Sequence, residues 1–453
     1  MSVQTDSTVP PAVPPKTHYT APEDRVPIAQ KLAYGLGQFM DMWGHWLYPT
    51  IVFQIFGLVF HVSGTLLGLA IILNRVFDAI SDPFFGWWSD NARTRFGRRR
   101  PFMAVGCILA GVGLPFLVAA PLGWTQSGYF AFMLISSAIY LPMVSCFNMP
   151  WRSLGNELTP DYHERTSVFS YQNAVKKLPE LGLFYFGNFF SMAVWVGADR
   201  SNVFARLKEL ITSSAARSPA PSGTEPNTLL GAQVYLTICG AIMIIAGLIC
   251  VATVRERYYD RVVTNKQEKV PIFETLSQTL KCRPFRIQIG LQLAYNLGLS
   301  MVGTIGFANT MYYVCNGDKA LGNYWNSIMG VAGMVMGFLG IPAFAAIARG
   351  FGKRHAMFAV LITTIFVFIG TWWLYTPQIV WLQLLATGLI SFTGAGFWLL
   401  DGSMRADILD YDERDTGKRR EGAFESCISW IGKVGMALGA GISFFILDWI
   451  GFD

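Results

Sequence analysis

Long apolar stretches alternate with short polar connections along most of this 453-residue chain. A helix needs about 20 apolar residues to cross a bilayer core of about 30 Å, and about eleven stretches of that length are bounded by charges or by Gly and Pro turns. They run near residues 31–57, 64–88, 102–121, 127–150, 168–197, 229–252, 286–313, 323–347, 355–374, 377–404 and 421–449. The pattern therefore predicts an all-α polytopic membrane protein with about 11 spans.

Composition agrees with this prediction and excludes several kinds of site. Apolar residues make up 52% of the chain and charged residues 14%, whereas soluble proteins carry about 25% charged residues. The formal charge of +6 is small and dispersed among the connections, so nucleic acid is not expected as a partner. The seven cysteines are isolated and lack any Cys-x-x-Cys spacing, so neither a disulfide framework nor a zinc site is predicted.

Lysine and arginine collect on one side of the predicted membrane. The connection after the second span carries five arginines, and those after the sixth, eighth and tenth spans are also basic, while those after the first, third and ninth carry no Lys or Arg. Because basic loops stay in the cytoplasm, this side and the N-terminus are predicted to be cytoplasmic, in a plasma (inner) membrane. Residues 198–228 are predicted to form an external loop, because they are long and rich in Ser, Pro and Gly.

An internal repeat predicts two halves of the same polarity. Phe96-Gly97-Arg98-Arg99 after the second span reappears as Phe351-Gly352-Lys353-Arg354 after the eighth. We therefore expect an N-terminal six-helix bundle over residues 28–252 and a C-terminal bundle of five helices over residues 286–453. A charged cytoplasmic loop at residues 253–285 would join them.

The sequence at each end of the chain gives a further prediction. Residues 1–27 are polar and rich in proline, so they are predicted to form a disordered cytoplasmic tail and not a secretory signal. Two equal bundles of six would need a twelfth helix, and Asp453 follows the eleventh span almost at once. A missing twelfth helix is therefore expected beyond Asp453, and a C-terminus on the external side is the alternative.

The second span carries three charged side chains within eight residues, Arg75 to Asp82. Asp78 and Asp82 are four residues apart, so they share one helix face about one turn apart, with Arg75 one turn before them. Two carboxylates in a low-dielectric setting repel unless a cation, a proton or a cationic side chain lies between them. Oxygen ligands of this kind suit Na⁺, and Ser81 adds a hydroxyl. The alternative is a buried salt-bridge network that only holds helices together.

Two longer motifs carry a family resemblance. The segment RVFDAISDPFFGWWSDNARTRFGRRRP (75–101) and the segment ADILDYDERDTGKRREG (406–422) occur together with a leading YGLG at residues 34–37. They resemble the signatures of the glycoside-pentoside-hexuronide:cation symporters, the melibiose-carrier branch of the major facilitator superfamily. The resemblance implies the major facilitator fold, with two pseudo-symmetric helical bundles.

The resemblance also implies a cation site. It places the ligands at Asp78, Ser81, Asp82 and Ser145, with Lys433 beside them. We expect Lys433 and Arg75 to act as coupling residues. Lys433 lies about twelve residues into an apolar span, too deep to reach the interface easily. The coupling ion would be Na⁺ or H⁺, and no cofactor or other metal is implied.

The substrate residues of the family carry over less completely. The family's helix 4 aspartate is replaced by Asn148, its helix 1 aspartate aligns with Met42, one position after Asp41, and its helix 5 arginine aligns with Asn173. Sugars are held by polar hydrogen-bonding groups and by aromatic faces. The candidates of that kind are Asp41, His45, Trp43, Asn148, Asn173, Lys176, Glu180 and Trp398. Each of them has an alternative explanation as an ordinary helix-interface residue.

Charged residues at the cytoplasmic ends resemble a gate between the two halves. Such charges can cap helix ends and pair across the seam when the inner side is shut. The predicted gate consists of Asp90, Arg98, Arg405, Asp407, Asp410, Glu413 and Arg414. Binding of anionic lipid by the same charges is the alternative.

These expectations together describe a secondary active transporter. It would act as a monomer in the lipid bilayer and couple Na⁺ or H⁺ to the symport of a sugar, glycoside or uronide by alternating access. An enzyme is not expected, because the chain contains neither a nucleotide-binding loop nor an HExxH motif. The alternatives are a lysolipid-type facilitator of the same superfamily and a non-transporting membrane sensor on this scaffold.

Overall fold

A computed structural model describes residues 24–92, 94–159, 162–221, 224–256, 281–416 and 421–450. Most of the predicted N-terminal tail and of the predicted central loop lies outside these ranges. The described helices are α1 Ile28–Leu36, α2 Gln38–Ile51, α3 Gly64–Asn91, α4 Arg100–Gly113, α5 Gln126–Glu157, α6 Tyr162–Phe190, α7 Val203–Thr212, α8 Thr228–Thr253, α9 Arg283–Asn309, α10 Lys319–Phe351, α11 Lys353–Leu374, α12 Leu382–Thr416 and α13 Glu421–Trp449.

Every predicted span contains a helix, but the helix ends differ from the predicted ones. The first span consists of α1, α2 and a π-helical turn at Val52–Gly57. Helix α12 continues to Thr416, beyond the predicted end of its span at residue 404. Hydropathy detects only the part of a helix that lies in lipid, so a polar helical extension into water is missed. Three helices begin at side chains that accept a backbone N–H bond, namely Thr125, Asn227 and Asp318.

Seven of the described helices are long and apolar enough to cross a membrane by length and composition. The other predicted spans, near residues 31–57, 64–88, 168–197 and 286–313, are also helical but carry more polar side chains. Much of that polarity is buried inside the protein, for example at Asp78 of α3 and Asn296 of α9. Buried polar side chains within membrane spans typically mark binding sites for ions or substrates.

The predicted external loop contains a helix that hydropathy did not indicate. Leu207 and Leu210 of α7 pack against the apolar core, whereas Phe204 is 86% exposed. Short amphipathic helices fall below the length of a span, so a search for spans passes over them. In the turn before α7, bonds from the Ser201 hydroxyl and the Asn202 backbone lower the pKa of Asp199.

The helices form two sets that meet along two seams. Within the C-terminal set, α12 packs on α10 and α11, and α13 packs on α9. Between the sets, α3 contacts α13 and α6 contacts α10. Gly64 and Gly68 of α3 lie against the backbone of α13, and the Thr65 hydroxyl donates to Asp448. The halves therefore touch at the end that bears residues 58–63, the end predicted to be external.

A close contact at Gly37, between α1 and α2, gives a stability prediction. A Cβ at this position would overlap with Nε1 of the fully buried Trp151, and that nitrogen donates to the Tyr34 carbonyl at 3.0 Å. Gly37→Ala is expected to destabilise the protein by about 1–3 kcal/mol, because the indole must move and its hydrogen bond must lengthen. Thermal unfolding in detergent measures the effect. Gly350→Ala is the matched control, since among the described residues no heavy atom beyond its own stretch of helix lies within 4 Å of a Cβ there. Equal melting temperatures for the two variants would contradict the packing argument.

Candidate cation and substrate site

The two carboxylates of α3 hold a lysine from the other half between them. Asp78 is fully buried and Asp82 lies one turn further along α3. Lys433 of α13 places its Nζ 3.0 Å from Asp78 Oδ2 and in direct contact with Asp82 Oδ2. A cation, a proton or a cationic side chain was expected to relieve the repulsion between the two carboxylates. In the structure a cationic side chain, that of Lys433, lies between them. Because this side chain belongs to the other half, the ion pairs also bind the seam between α3 and α13.

Arg75 adds a second cation to the same carboxylate. Its Nη1 lies 3.1 Å from Asp78 Oδ2, and its Nη2 donates to the backbone carbonyl of His45 at 3.2 Å. One bond is local to α3 and the other reaches α2. Arg75 therefore ties the first two spans together at the predicted cation site.

Hydroxyl groups complete the predicted set of cation ligands. Ser145 of α5 donates to Asp82 Oδ1 at 2.8 Å, and its Oγ lies 2.9 Å from that of Ser81. The Ser81 hydroxyl also bonds the Asp78 carbonyl at 3.3 Å. The structure thus brings Asp78, Ser81, Asp82 and Ser145 into one group of hard oxygen atoms.

His45 extends this group toward α2. One ligand atom from each of His45, Asp78 and Asp82 lies within 4.8 Å of the others. His45 Nε2 is 3.3 Å from Asp78 Oδ1, yet these two buried atoms have no hydrogen-bond partner among the described residues. A buried carboxylate oxygen without a donor favours an incoming cation. The donor set therefore fits a coupling ion.

A second cluster lies on the other side of His45. Arg152 of α5 donates from Nη2 to Asp41 Oδ1 at 2.8 Å, and Asn148 Nδ2 reaches the same oxygen at 3.3 Å. Asn148 Nδ2 also lies 3.0 Å from His45 Nδ1, which is 3.6 Å from Asp41 Oδ1. The predicted substrate residues Asp41, His45 and Asn148 are therefore brought together, and His45 links them to the predicted cation ligands.

Arg152 was not among the residues selected from the sequence. The apolar stretch that predicts the fourth span ends near residue 150, so Arg152 counted as part of a connection. Its spacing of four from Asn148 was the available signal, because it puts both side chains on one face of α5. The ionisable members of both clusters form one continuous set, which we call the central polar group: Asp41, His45, Arg75, Asp78, Asp82, Arg152 and Lys433.

The described contacts of the other predicted substrate residues lie outside the central polar group. Trp43 is buried against α6 and donates from Nε1 to the Pro179 carbonyl at 2.8 Å, so it packs helices together in this conformation. Asn173 is exposed. Glu180 pairs with Lys177 at 2.8 Å, and not with the predicted Lys176, because a spacing of three also places two side chains on one helix face. Trp398 of α12 lies edge-on to Tyr295 and Phe397.

The residues of the predicted gate are only partly described. Arg405 donates to Asp401 at 2.6 Å, Asp407 pairs with Lys353 at 2.7 Å, and Arg414 lies 3.5 Å from Asp415. The backbone N–H of Arg98 donates to Glu256 at 2.9 Å. The side chains of Asp90, Asp410 and Glu413 lie outside the described part of the chain. The gate remains a prediction.

Comparison with known proteins identifies the family. Residues 34–453 match the family described as MFS/sugar transport protein. The chain belongs to this MFS/sugar transport protein family. The predicted all-α major facilitator fold and the predicted symporter superfamily are thereby confirmed. This MFS protein is a multi-pass membrane transporter and not an enzyme.

The names of the relatives of this MFS protein give different transported substrates. The isoprimeverose transporter of Lactiplantibacillus pentosus is 23% identical over 94% of this chain and 81% of its own length. The sodium-dependent lysophosphatidylcholine symporter 1 of Gallus gallus is 24% identical over 85% of this chain and 72% of its own length. The crystal structure of a D-xylose-proton symporter superposes with a TM-score of 0.54 at 15% identity and covers 94% of this chain and 89% of that one. That likeness shows the shared fold.

Proposed function

We propose that this protein couples the inward movement of Na⁺ or H⁺ to the symport of a sugar, glycoside or uronide. The observation that carries the proposal is the bridge from Lys433 to Asp78 and Asp82, which joins the two halves at a set of cation ligands. A cation that binds there competes with the lysine for the same oxygens. Cation binding and the seam between α3 and α13 are therefore linked.

The central polar group connects the proposed cation site with the proposed substrate site. His45 contacts Asp78 on one side and the cluster of Asp41 and Asn148 on the other. Carboxylate, amide and guanidinium groups are suited to bind the hydroxyls of a sugar, and Trp398 offers an aromatic face. A change at Asp78 thus reaches the proposed substrate residues through one side chain. Coupling requires such reciprocity, with a free energy of typically 1–3 kcal/mol.

The predicted orientation and gate complete the proposed cycle. The halves touch at the end bearing residues 58–63, so an external position for that end makes this conformation closed to the outside. Alternating access then requires those contacts to open and the predicted cytoplasmic gate to close. The protein would work in the plasma (inner) membrane with a cytoplasmic N-terminus.

Uptake into vesicles tests the proposed function. The full chain is reconstituted, and accumulation of a panel of labelled sugars, glycosides and uronides is measured with and without a Na⁺ or pH gradient. At least one member should accumulate above equilibrium only when the gradient is present. Preferential uptake of lysophosphatidylcholine, the cargo named for the Gallus gallus relative, would favour the lysolipid alternative instead. Transport of none of these compounds would favour a sensor.

A cross-link tests alternating access separately. Thr65 and Asp448 face each other across the seam between α3 and α13, so Thr65→Cys combined with Asp448→Cys should form a disulfide under oxidation. The oxidised double variant is expected to lose at least about 90% of uptake, because the end bearing residues 58–63 can no longer open, and reduction should restore it. Each single variant is the control. Full uptake by the cross-linked protein would contradict alternating access at this seam.

A further inference from the structure

Helix α7 carries apolar side chains on two of its sides. Val203, Leu207 and Leu210 pack against the apolar core of the N-terminal half. A helix of ten residues is too short to be stable alone, so these contacts hold it in place. Phe204 and Ile211 point away from the core and are 86% and 78% exposed. Two large apolar side chains exposed side by side indicate a surface that contacts something other than water.

The side chains of α7 fall into three sectors around the helix axis. At 3.6 residues per turn, Ile211 lies about 20° from Phe204, and Lys208 lies about 40° from Phe204 on its other side. The sector that packs on the core starts at Leu207, about 40° beyond Ile211. The third sector is exposed and small or polar, and it consists of Ala205, Glu209 and Thr212. The exposed apolar sector therefore adjoins the side of the helix that packs on the protein.

Hydrogen bonds hold α7 at the level where a neighbouring span ends. Arg206 of α7 donates from Nη2 to the Val196 carbonyl at 3.1 Å. Asn227 caps the start of α8 and donates from Nδ2 to the Ala198 carbonyl at 3.1 Å. Helix α8 begins at Thr228 and is long and apolar enough to cross a membrane. Helix α7 is thus attached where the surface of the bilayer meets the protein.

Basic side chains surround the exposed apolar sector. Lys208 lies within it, Arg200 precedes α7 and Arg217 follows it, and all three are exposed and form no ion pair within the described part of the chain. Residues 199–217 contain four basic and two acidic side chains, so their formal charge is +2. Lysine and arginine beside an apolar face are typical of helices that lie in the interface of a bilayer, where they reach the lipid phosphates.

We propose that α7 lies along the surface of the bilayer and binds anionic lipid there. Phe204 and Ile211 insert between the lipid chains, and Lys208 contacts the phosphate groups. Each sector of the helix then meets surroundings of its own polarity: the protein core, the lipid and water. The contact anchors the N-terminal half at the membrane surface. It goes beyond the proposed transport and does not depend on it.

Nitroxide spin labels on α7 test its position. The full chain is reconstituted into vesicles of phosphatidylcholine and phosphatidylglycerol, with Phe204→Cys or Ile211→Cys for the apolar sector and Ala205→Cys or Thr212→Cys for the polar one. Collisions of the label with O₂, which concentrates in lipid, are compared with collisions with a neutral, water-soluble nickel chelate. The ratio of O₂ to chelate collisions should be several-fold higher in the first pair. Six of the seven native cysteines are buried, and the unmodified chain supplies the background.

The same spectra contain the outcomes that would overturn the proposal. A ratio that is equally low in all four variants would mean that both exposed sectors face water. Low collision rates with both reagents, together with dipolar broadening between labels, would mean that a second copy of the chain covers the apolar sector. Either result excludes lipid as the partner. The experiment needs neither coupling ion nor sugar, so it is independent of the proposed function.

The preference for anionic lipid is tested at the same place. A fluorophore on Phe204→Cys is quenched by nitroxide-bearing phosphatidylglycerol or by phosphatidylcholine with the same label. Phosphatidylglycerol should be preferred by roughly fivefold, which corresponds to about 1 kcal/mol for one basic residue near an anionic surface. Adding Lys208→Gln should bring the two lipids close to equal, whereas Lys208→Arg keeps the charge and should keep the preference. A preference that is absent, or that Lys208→Gln leaves unchanged, would overturn the role of Lys208 in binding anionic lipid.

Discussion

Asp82→Asn is expected to abolish uphill accumulation of substrate while exchange of substrate across the membrane continues. The amide keeps the shape of the side chain and can still accept the bond from Ser145, but it removes one of the two negative ligands. Asp78 retains its contacts with Lys433 and Arg75, so the seam is held. Gradient-driven accumulation should fall by about 5–150-fold, the factor that corresponds to a coupling free energy of 1–3 kcal/mol.

Counterflow exchange, measured in the same vesicles as accumulation, distinguishes a loss of coupling from a loss of folded protein. Counterflow exchange of labelled for unlabelled substrate needs no net ion movement and should stay near the level of the unmodified protein. Asp199→Asn is the matched control, since this aspartate lies in the exposed segment before α7. Undiminished accumulation by Asp82→Asn would show that the ion binds elsewhere.

Lys433→Gln should weaken the protein without its coupling ion and strengthen its response to that ion. Removal of the lysine leaves the buried Asp78 and the partly buried Asp82 short of a partner, and loss of one member of a buried pair typically costs about 3–5 kcal/mol. A bound cation can replace the missing charge, and it no longer competes with an ammonium group. We expect a lower Tm in ion-free buffer and a larger rise in Tm on addition of Na⁺ or on acidification.

A second lysine provides the comparison. Lys353 pairs with Asp407 at 2.7 Å, but both side chains are exposed, and exposed pairs contribute about 0–1 kcal/mol. Lys353→Gln should therefore change the Tm little and leave its dependence on the ion as it was. If Lys433→Gln behaved like Lys353→Gln, Lys433 would not be the competitor of the ion.

The spans and the cation ligands could be predicted from the sequence because each follows from a short-range regularity. Apolar stretches of bilayer length predict helices regardless of tertiary contacts. A spacing of four places Asp78 and Asp82 on one face of α3 wherever that helix packs. The depth of Lys433 within an apolar stretch indicated a buried partner. The structure brings these three side chains into contact.

The substrate side of the site depends on long-range packing, which spacing does not report. His45 connects two clusters only because its Nε2 faces Asp78 of α3 while its Nδ1 faces Asn148 of α5. Trp43, two residues earlier, points instead into the contact with α6. The directions of His45 and Trp43 follow from helix rotation and tilt, which hydropathy leaves open. Lysines at spacing three and at spacing four both share a helix face with Glu180, and Lys177 is the one that pairs with it.

The two kinds of contact between α3 and α13 are far apart along the helix. Gly64 and Asp82 are separated by 18 residues in the sequence, which corresponds to about 27 Å of helix. Helix α3 can therefore tilt against α13 about the ion pairs at Lys433, and the glycine contacts at the far end of α3 then move the most. A tilt of roughly 10° about these ion pairs would part the far ends by about 5 Å, enough to admit water. The end predicted to be external can thus open through rigid rocking, with every helical turn intact.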